Sequence, residues 1–191
     1  MKKPEEVEVK IAAEDAATIR SLLRREGFRI VKRRVFEQNI VLDDAAGSIK
    51  ARNLLLRVRS AGKIVTCTFK GKEMPGVHKR REEREFHADN IDECLALFAG
   101  LGYTPSLRYE KYRTEFHRAE EPGHITLDET PIGVFMELEG PARWIDATAK
   151  SLGYSRADYI LLSYGRLFAE WCAAHGIESN AMTFSPRRSK R

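Results

Sequence analysis

Glu6-Val7-Glu8-Val9-Lys10 alternates charged residues with valines and runs on into Ile11. A period of two marks a β-strand, whose successive side chains point to opposite faces. Taken alone, the charged face of such a strand belongs in water. The rest of the chain repeats the pattern, and the repetition changes its meaning.

Arg57 and Arg59 alternate with Leu54, Leu56 and Val58. Lys70, with Thr66 and Thr68, alternates with Val65, Cys67 and Phe69. Glu83 and Glu85, Lys111 and Arg113, Asp128, and Glu137 and Glu139 follow in turn, the last pair beside Met136 and Leu138. Each strand thus has an apolar face and a face with charges of both signs. Helices packed outside can cover the apolar faces. The charged faces then share an interior, and an antiparallel sheet closed on itself would hold them there without exposed edges. A dry interior cannot keep so many charges unpaired, so this one must hold water, ions or a charged ligand. Carboxylates suit hard cations such as Mg²⁺ or Mn²⁺. Lys and Arg suit phosphate oxygens. Together they fit a polyphosphate with its metals. A solvent-facing sheet laced with cross-strand ion pairs is the competing reading.

The fold class expected is therefore α+β: an antiparallel sheet closed into a β-barrel with helices packed outside. A helix is expected from about Ala13 to Glu26, where Ala16, Ile19, Leu22 and Leu23 form an apolar stripe. Phe28–Leu42 reads as extended. Leu54–Ser60 and Ile64–Lys70 form a hairpin around Ala61-Gly62-Lys63. Asp43–Asn53 and Gly71–Arg80, rich in polar residues or containing Pro75 and Gly76, read as mobile loops and candidate lids. Glu82–Ala88, Tyr109–Phe116, Ile125–Glu129 and Val134–Leu138 read as strands. Asn90 or Asp89 can cap a helix reaching Leu101. Two more helices are expected, over Ala142–Leu152 and Tyr164–His175. Gly27-Phe28, Gly102-Tyr103 and Gly153-Tyr154 each place Gly and an aromatic at a helix end, a shared capping solution.

No Pro/Gly/Ser-rich linker divides the chain, so residues 1–176 read as one domain and 177–191 as a basic, flexible tail. Four of the last five residues (Arg187, Arg188, Lys190, Arg191) account for most of the net charge of +5, which argues against a basic nucleic-acid face. Cys67, Cys94 and Cys172 are too widely spaced for a disulfide framework or zinc site. Five scattered histidines make no metal motif. No apolar run approaches a membrane span and no secretory leader is visible; with no disulfide framework, a reducing cytoplasm is the expected location.

These motifs, in this order, resemble the CYTH superfamily of triphosphate tunnel metalloenzymes: Glu6-Val7-Glu8-Val9-Lys10 for its ExExK signature, then Leu56-Arg57-Val58-Arg59, Thr68-Phe69-Lys70, Glu83-Arg84-Glu85, Lys111-Tyr112-Arg113, Asp128 and Glu137-Leu138-Glu139. The resemblance reaches to about Leu167. It implies an eight-stranded antiparallel β-barrel, a tunnel that binds a triphosphate lengthwise, with Mg²⁺ or Mn²⁺ held by Glu6, Glu8, Glu137 and Glu139. Arg57, Arg59, Lys70, Lys111 and Arg113 map to phosphate-binding positions, with Lys10 near the reacting phosphate. Glu83, Glu85 and Asp128 map to metal or water positioning, Asp128 alternatively to holding a basic neighbour. Ser163-Tyr164 resembles an element that closes one mouth, with Arg166 nearby as a further lid residue. The catalytic assignment is Lys10 and Glu8. Lys10 lies among acids that favour its charged form, which makes it a poor base. A metal-activated water, or one held by Lys10 and Glu8, is the expected nucleophile.

Such a scaffold does not by itself fix the reaction. The leading expectation is metal-dependent hydrolysis of inorganic, thiamine or nucleoside triphosphate. The alternatives are a class IV adenylyl cyclase releasing pyrophosphate and a non-catalytic polyphosphate or nucleotide binder. No His-Phe element or clear purine pocket is present; Glu85-Phe86-His87 has the other order, and Asn39 and Phe36 are expected near the open mouth. The expected partner is a small triphosphate, with no membrane or nucleic-acid track and with the protein a monomer or homodimer.

Overall fold

The computed structural model describes residues 5–184. Strand β1 (Glu5–Ala13) is followed by α1 (Ala16–Arg25), β2 (Arg29–Asp43) and a one-turn α2 (Ser48–Ala51). Strands β3 (Leu55–Ala61), β4 (Ile64–Lys70) and β5 (Lys79–Ala88) come next, then α3 (Ile91–Gly100). The chain continues through β6 (Thr104–His117), β7 (His124–Thr130), β8 (Gly133–Glu139), α4 (Ala142–Ser151), α5 (Tyr164–His175) and a two-residue β9 (Ala181–Met182). The strand order β2-β3-β4-β5-β1-β8-β7-β6, with β2 also pairing β6, closes an eight-stranded antiparallel barrel. The five helices pack outside it.

Both faces of the strands are covered, which explains why the charged positions are buried. Met136 and Leu138 of β8 lie in an outer core with Ile19 and Leu23 of α1 and Trp144 and Ile145 of α4. Their neighbour Glu137 faces the opposite way and is still 8% exposed; Lys10 is 3% exposed and Lys111 2%. A solvent-facing sheet would leave these groups in water, so the competing reading falls. A second outer core sets Cys94, Leu95 and Phe98 of α3 on Ile40, Leu42, Val58 and Cys67. A third sets Tyr164, Phe168 and Cys172 of α5 on Tyr109, Phe135 and Met182.

The helix ends follow local chemistry. Asp15 is the N-cap of α1, accepting from the Ala17 and Thr18 amides, and Asn90 caps α3 the same way. Gly27, Gly102 and Gly153 sit at φ of 87°, 89° and 89°. The amides of Phe28, Tyr103 and Tyr154 return to Leu23, Phe98 and Ala149 carbonyls, each at 2.9 Å. This is the Schellman cap, which explains the recurrence of Gly and aromatic.

Some segments differ from their sequence reading. Asp43–Asn53 is a folded turn: the buried Asp43 carboxylate accepts from the Asp44, Ile49 and Lys50 amides, and Asp44 accepts from Ala46 and Ser48. Gly71–Arg80 is tied down by bonds from the Gly71 amide to the Glu82 carbonyl and from the Met74 amide to the Arg80 carbonyl, both 2.8 Å. The stretch after Gly176 is not frayed through Phe184, because β9 pairs in parallel with β6 and Met182 is buried. The basic residues at 187–191 lie outside the described residues. Among the described residues no helix is long and apolar enough to cross a membrane.

Candidate functional site

The barrel encloses a cavity of about 750 Å³ lined by residues from all eight strands. Because neighbouring strands are antiparallel, their ends define two mouths. Lys32, Arg33, Ile64, His87 and His124 lie toward one, Ser163 and Tyr164 toward the other. At that second end Lys10 exchanges both backbone hydrogen bonds with Ile160, so the segment before α5 extends the wall where the β1–β5 pairing stops.

Inside, nearly every charge has an opposite partner. Lys10 Nζ donates to Glu137 Oε1 at 2.7 Å. Lys70 donates to both oxygens of Glu6, at 2.6 and 2.5 Å, and lies 3.2 Å from Glu83. Lys79 donates to Glu8 at 2.5 Å. Arg113 binds both oxygens of Asp128 and reaches Glu137 as well. Lys111 donates to Asp128 at 2.8 Å and lies 3.5 Å from Glu37. Glu85 accepts from Thr68 at 2.7 Å and faces Arg57 and Arg59 at 3.6 and 3.7 Å. Tyr164 donates to Asp128 at 2.7 Å, and its ring lies under Lys10, 4.5 Å from the ammonium to the centroid.

Burial and pairing compete at each group, and the outcome differs from one carboxylate to the next. Burial alone would raise Glu8, but Lys79, with Lys10 and Lys70, holds it at about 2. Burial likewise opposes ionisation of Glu137, and Lys10 and Arg113 override it, leaving its pKa well below the ordinary value. Lys10 is pushed above its ordinary value against burial, chiefly by Glu137 and Glu8, so it is a cation at neutral pH. Glu139 goes the other way: burial, then Glu6 and Glu8, push it up to about 8. Burial and Glu6 likewise push Glu83 to about 7, against the pull of Lys70.

The donor chemistry around Glu6, Glu8 and Glu139 fits a hard dication. The three are all oxygen donors, and their mutual repulsion at Glu139 marks a surplus of negative charge there. As they stand, no three potential ligands among the described residues are gathered as tightly as a bound ion needs, and Glu6 and Glu8 are paired with Lys70 and Lys79.

Of the residues picked out in the sequence, Glu6, Glu8, Lys10, Arg57, Arg59, Lys70, Glu83, Glu85, Lys111, Arg113, Glu137, Glu139, Ser163 and Tyr164 all line the one cavity. Asp128 is fully buried behind that lining, with its oxygens taken by Lys111, Arg113 and Tyr164, and so holds basic neighbours rather than facing the lumen. Arg166 is exposed on α5 and does not line the cavity. Phe36 points outward, its ring tilted against that of Tyr112, and Asn39 is fully buried in the wall, so neither lines the open mouth. The sequence reading missed Glu37, Lys79, Arg81 and Tyr109, all of which line the cavity. Lys79 and Arg81 could have been found, since they extend the alternation of Glu83 and Glu85 backward.

A family model described as the CYTH domain matches residues 4–162. A Methanocaldococcus jannaschii protein named as a candidate adenylate cyclase is 26% identical over 134 residues, which is 70% of this chain and 75% of that one. A solved protein of Pyrococcus horikoshii superposes with a TM-score of 0.73 at 25% identity, covering 87% of this chain and 99% of that one. A Hippeastrum protein described as a candidate adenylyl cyclase with a dominant triphosphatase activity superposes at 0.62 with 15% identity, covering 92% and 97%.

Proposed function

The chain belongs to the CYTH domain family, and from that membership and the lining of its tunnel we propose that it is a divalent-metal-dependent triphosphatase. The observation that carries this reading is that Glu6, Glu8, Glu137 and Glu139 share one lumen with Arg57, Arg59, Lys70, Lys111 and Arg113. A simple anion binder would have no use for the acids, and a simple cation site none for the bases.

Glu6, Glu8, Glu137 and Glu139 would hold Mg²⁺ or Mn²⁺, which when bound supplies charge neutralisation and Lewis acidity to the phosphate chain. Arg57, Arg59, Lys70, Lys111 and Arg113 would bind the phosphate oxygens and take up the charge that builds on them as the bond breaks. Asp128 positions Lys111 and Arg113 for this through direct hydrogen bonds. Lys10, a cation held by Glu137, cannot accept a proton; it would orient the attacking water, with Glu8 accepting a hydrogen bond from it, and stabilise the in-line transition state. Glu83 and Glu85 would position water or metal, and Ser163 and Tyr164 would close the inner end.

Hydrolysis is favoured over cyclisation by the aromatic residues. Tyr109 and Tyr164 are the aromatic rings lining the cavity among the described residues other than the imidazoles, and they meet at the inner end, where Tyr164 opens α5. Toward the outer mouth the lining rings among the described residues are the imidazoles of His87 and His124, with no larger aromatic on which a purine could stack. The name carried by the Methanocaldococcus relative supports the cyclase as the second reading.

The test is a product assay with inorganic triphosphate, thiamine triphosphate and ATP, each with Mg²⁺ or Mn²⁺. Orthophosphate without cyclic AMP is expected. Cyclic AMP with equal pyrophosphate would replace the hydrolase with the cyclase, and binding without turnover would leave a sensing module.

A further inference from the structure

Lys79 opens β5 directly opposite Glu8 of β1, and on its other side Glu8 faces Glu139. The Lys79 ammonium lies 2.5 Å from Glu8 Oε1, and both side chains are below a tenth exposed. Lys70 makes the equivalent contact with Glu6, but it keeps a second carboxylate, Glu83, at 3.2 Å. Glu8 is the one acidic partner of Lys79 among the described residues.

A divalent cation and an ammonium cannot both sit within bonding distance of the same carboxylate oxygen without strong repulsion. A metal that takes this Oε1 of Glu8 therefore dislodges Lys79. Its backbone is anchored in the tunnel wall by β5, and the preceding residue, His78, ties that strand end to α4 through Nε2, 2.8 Å from Asp146 Oδ1, so the freed ammonium stays within the lumen. Left unpaired in a mostly buried setting it is costly, and a phosphate oxygen in the same lumen relieves that cost.

We propose that Lys79 is the resident counter-ion of Glu8 and becomes an additional phosphate-binding residue when a divalent cation takes Glu8. This rests on the triphosphatase reading above. Lys79 then couples the two ligands: metal frees the ammonium for phosphate, and phosphate frees the carboxylate for metal, with reciprocal effects on affinity.

The test separates the two ligands. Binding of Mn²⁺ alone is followed by the electron paramagnetic resonance of the free ion, and binding of a non-hydrolysable imido-bridged triphosphate is followed by calorimetry at saturating Mg²⁺. Lys79→Gln should bind Mn²⁺ about fivefold more tightly, because Glu8 is released. The same variant should bind the triphosphate analogue about tenfold more weakly, because one charged hydrogen bond is lost. Lys79→Arg keeps the charge and grips Glu8 with a fork, so it should bind Mn²⁺ more weakly than the unaltered protein. It serves as the second variant if the glutamine form does not fold. A purely structural Lys79 would weaken both ligands together in Lys79→Gln, and a Lys79 that only binds phosphate would leave Mn²⁺ affinity unchanged; either result, or unchanged Mn²⁺ affinity in Lys79→Arg, overturns the proposal. If the unaltered protein fails to bind the analogue at all, the triphosphatase reading falls and takes this one with it. If it binds the analogue and the variants show no opposed shift, this inference alone is lost.

Discussion

Lys10 and Glu137 stand 127 positions apart in the chain and 2.7 Å apart in the tunnel. The contact spans the β1–β8 pairing, in which the two residues are register partners. It keeps Lys10 charged and Glu137 ionised although both are buried.

Lys10→Met should therefore leave a folded protein with turnover reduced by about 100-fold or more, the scale of losing one preorganised charge at a reacting centre. Glu137 retains Arg113 and Thr126 as partners, which protects the fold. Orthophosphate release at saturating substrate, alongside a thermal melt, checks both halves. Turnover within about twofold of the unaltered protein, well short of that scale, would remove Lys10 from the catalytic assignment.

Glu139→Gln removes a carboxylate whose ionisation burial, Glu6 and Glu8 resist. Folding stability should hold or rise, since the cost of burying an ionisable carboxyl beside Glu6 and Glu8 disappears. The Mg²⁺ concentration for half-maximal turnover should rise by about tenfold, as expected when one charged ligand becomes neutral. A metal titration with unchanged midpoint would exclude Glu139 as a metal ligand.

Asp146 ties the β4–β5 connection and the turn before α5 to α4. It accepts from Arg156 at 2.5 Å and from Tyr159 at 3.0 Å, and meets His78 at 2.8 Å. The Arg156 hydrogen bond, joined by those of His78 and Tyr159, lowers its carboxyl from 3.8 to about 2. The folded protein thus releases this proton more readily than the unfolded chain, so the stabilisation is complete above 3.8 and is lost as pH falls through about 2. Asp146→Asn should melt lower than the unaltered protein at neutral pH, with the difference closing across that acid window. A gap that stays constant down to the lower limit would show that ionisation of Asp146 contributes nothing.

Gly123 lies against Trp144: a Cβ there would meet the indole at 2.4 Å and the Glu139 carbonyl oxygen at 2.7 Å. Gly123→Ala must displace one or the other, at a cost of about 1–3 kcal/mol. Urea denaturation should show this loss. Because one of the obstructing atoms belongs to Glu139, the variant should also need more Mg²⁺ for turnover. Unaltered stability would mean that the loop before β7 yields freely.

The barrel and most of its lining were legible because period-two alternation survives in any strand with two different faces. The alternation at Glu6–Lys10 and at Glu137–Glu139 needed no tertiary information. Lys79 was lost because Pro75 and Gly76 made its stretch read as a loop, although β5 begins at Lys79 itself. Glu37 was lost because β2 mixes Phe36, Gln38 and Ile40 on its outward face, so polarity does not separate its sides. The strand at Ala181–Met182 exists through its pairing with Arg108 and Tyr109, which local sequence does not encode. Arg166 carried the right charge at the right distance along the chain, but it projects from the exposed side of α5.

The placement of β1 also governs how the protein is made. Its two neighbours are β5 and β8, and Glu139 of β8 is 131 positions beyond Glu8 (139 − 8 = 131). During synthesis the first strand must wait, with one edge open, until the last strand of the barrel has left the ribosome. Contacts so distant in sequence slow folding and leave intermediates exposed. The charges that later line the tunnel keep one side of this waiting strand hydrated, so the residues read here as binding phosphate and metal also guard the nascent chain against premature association.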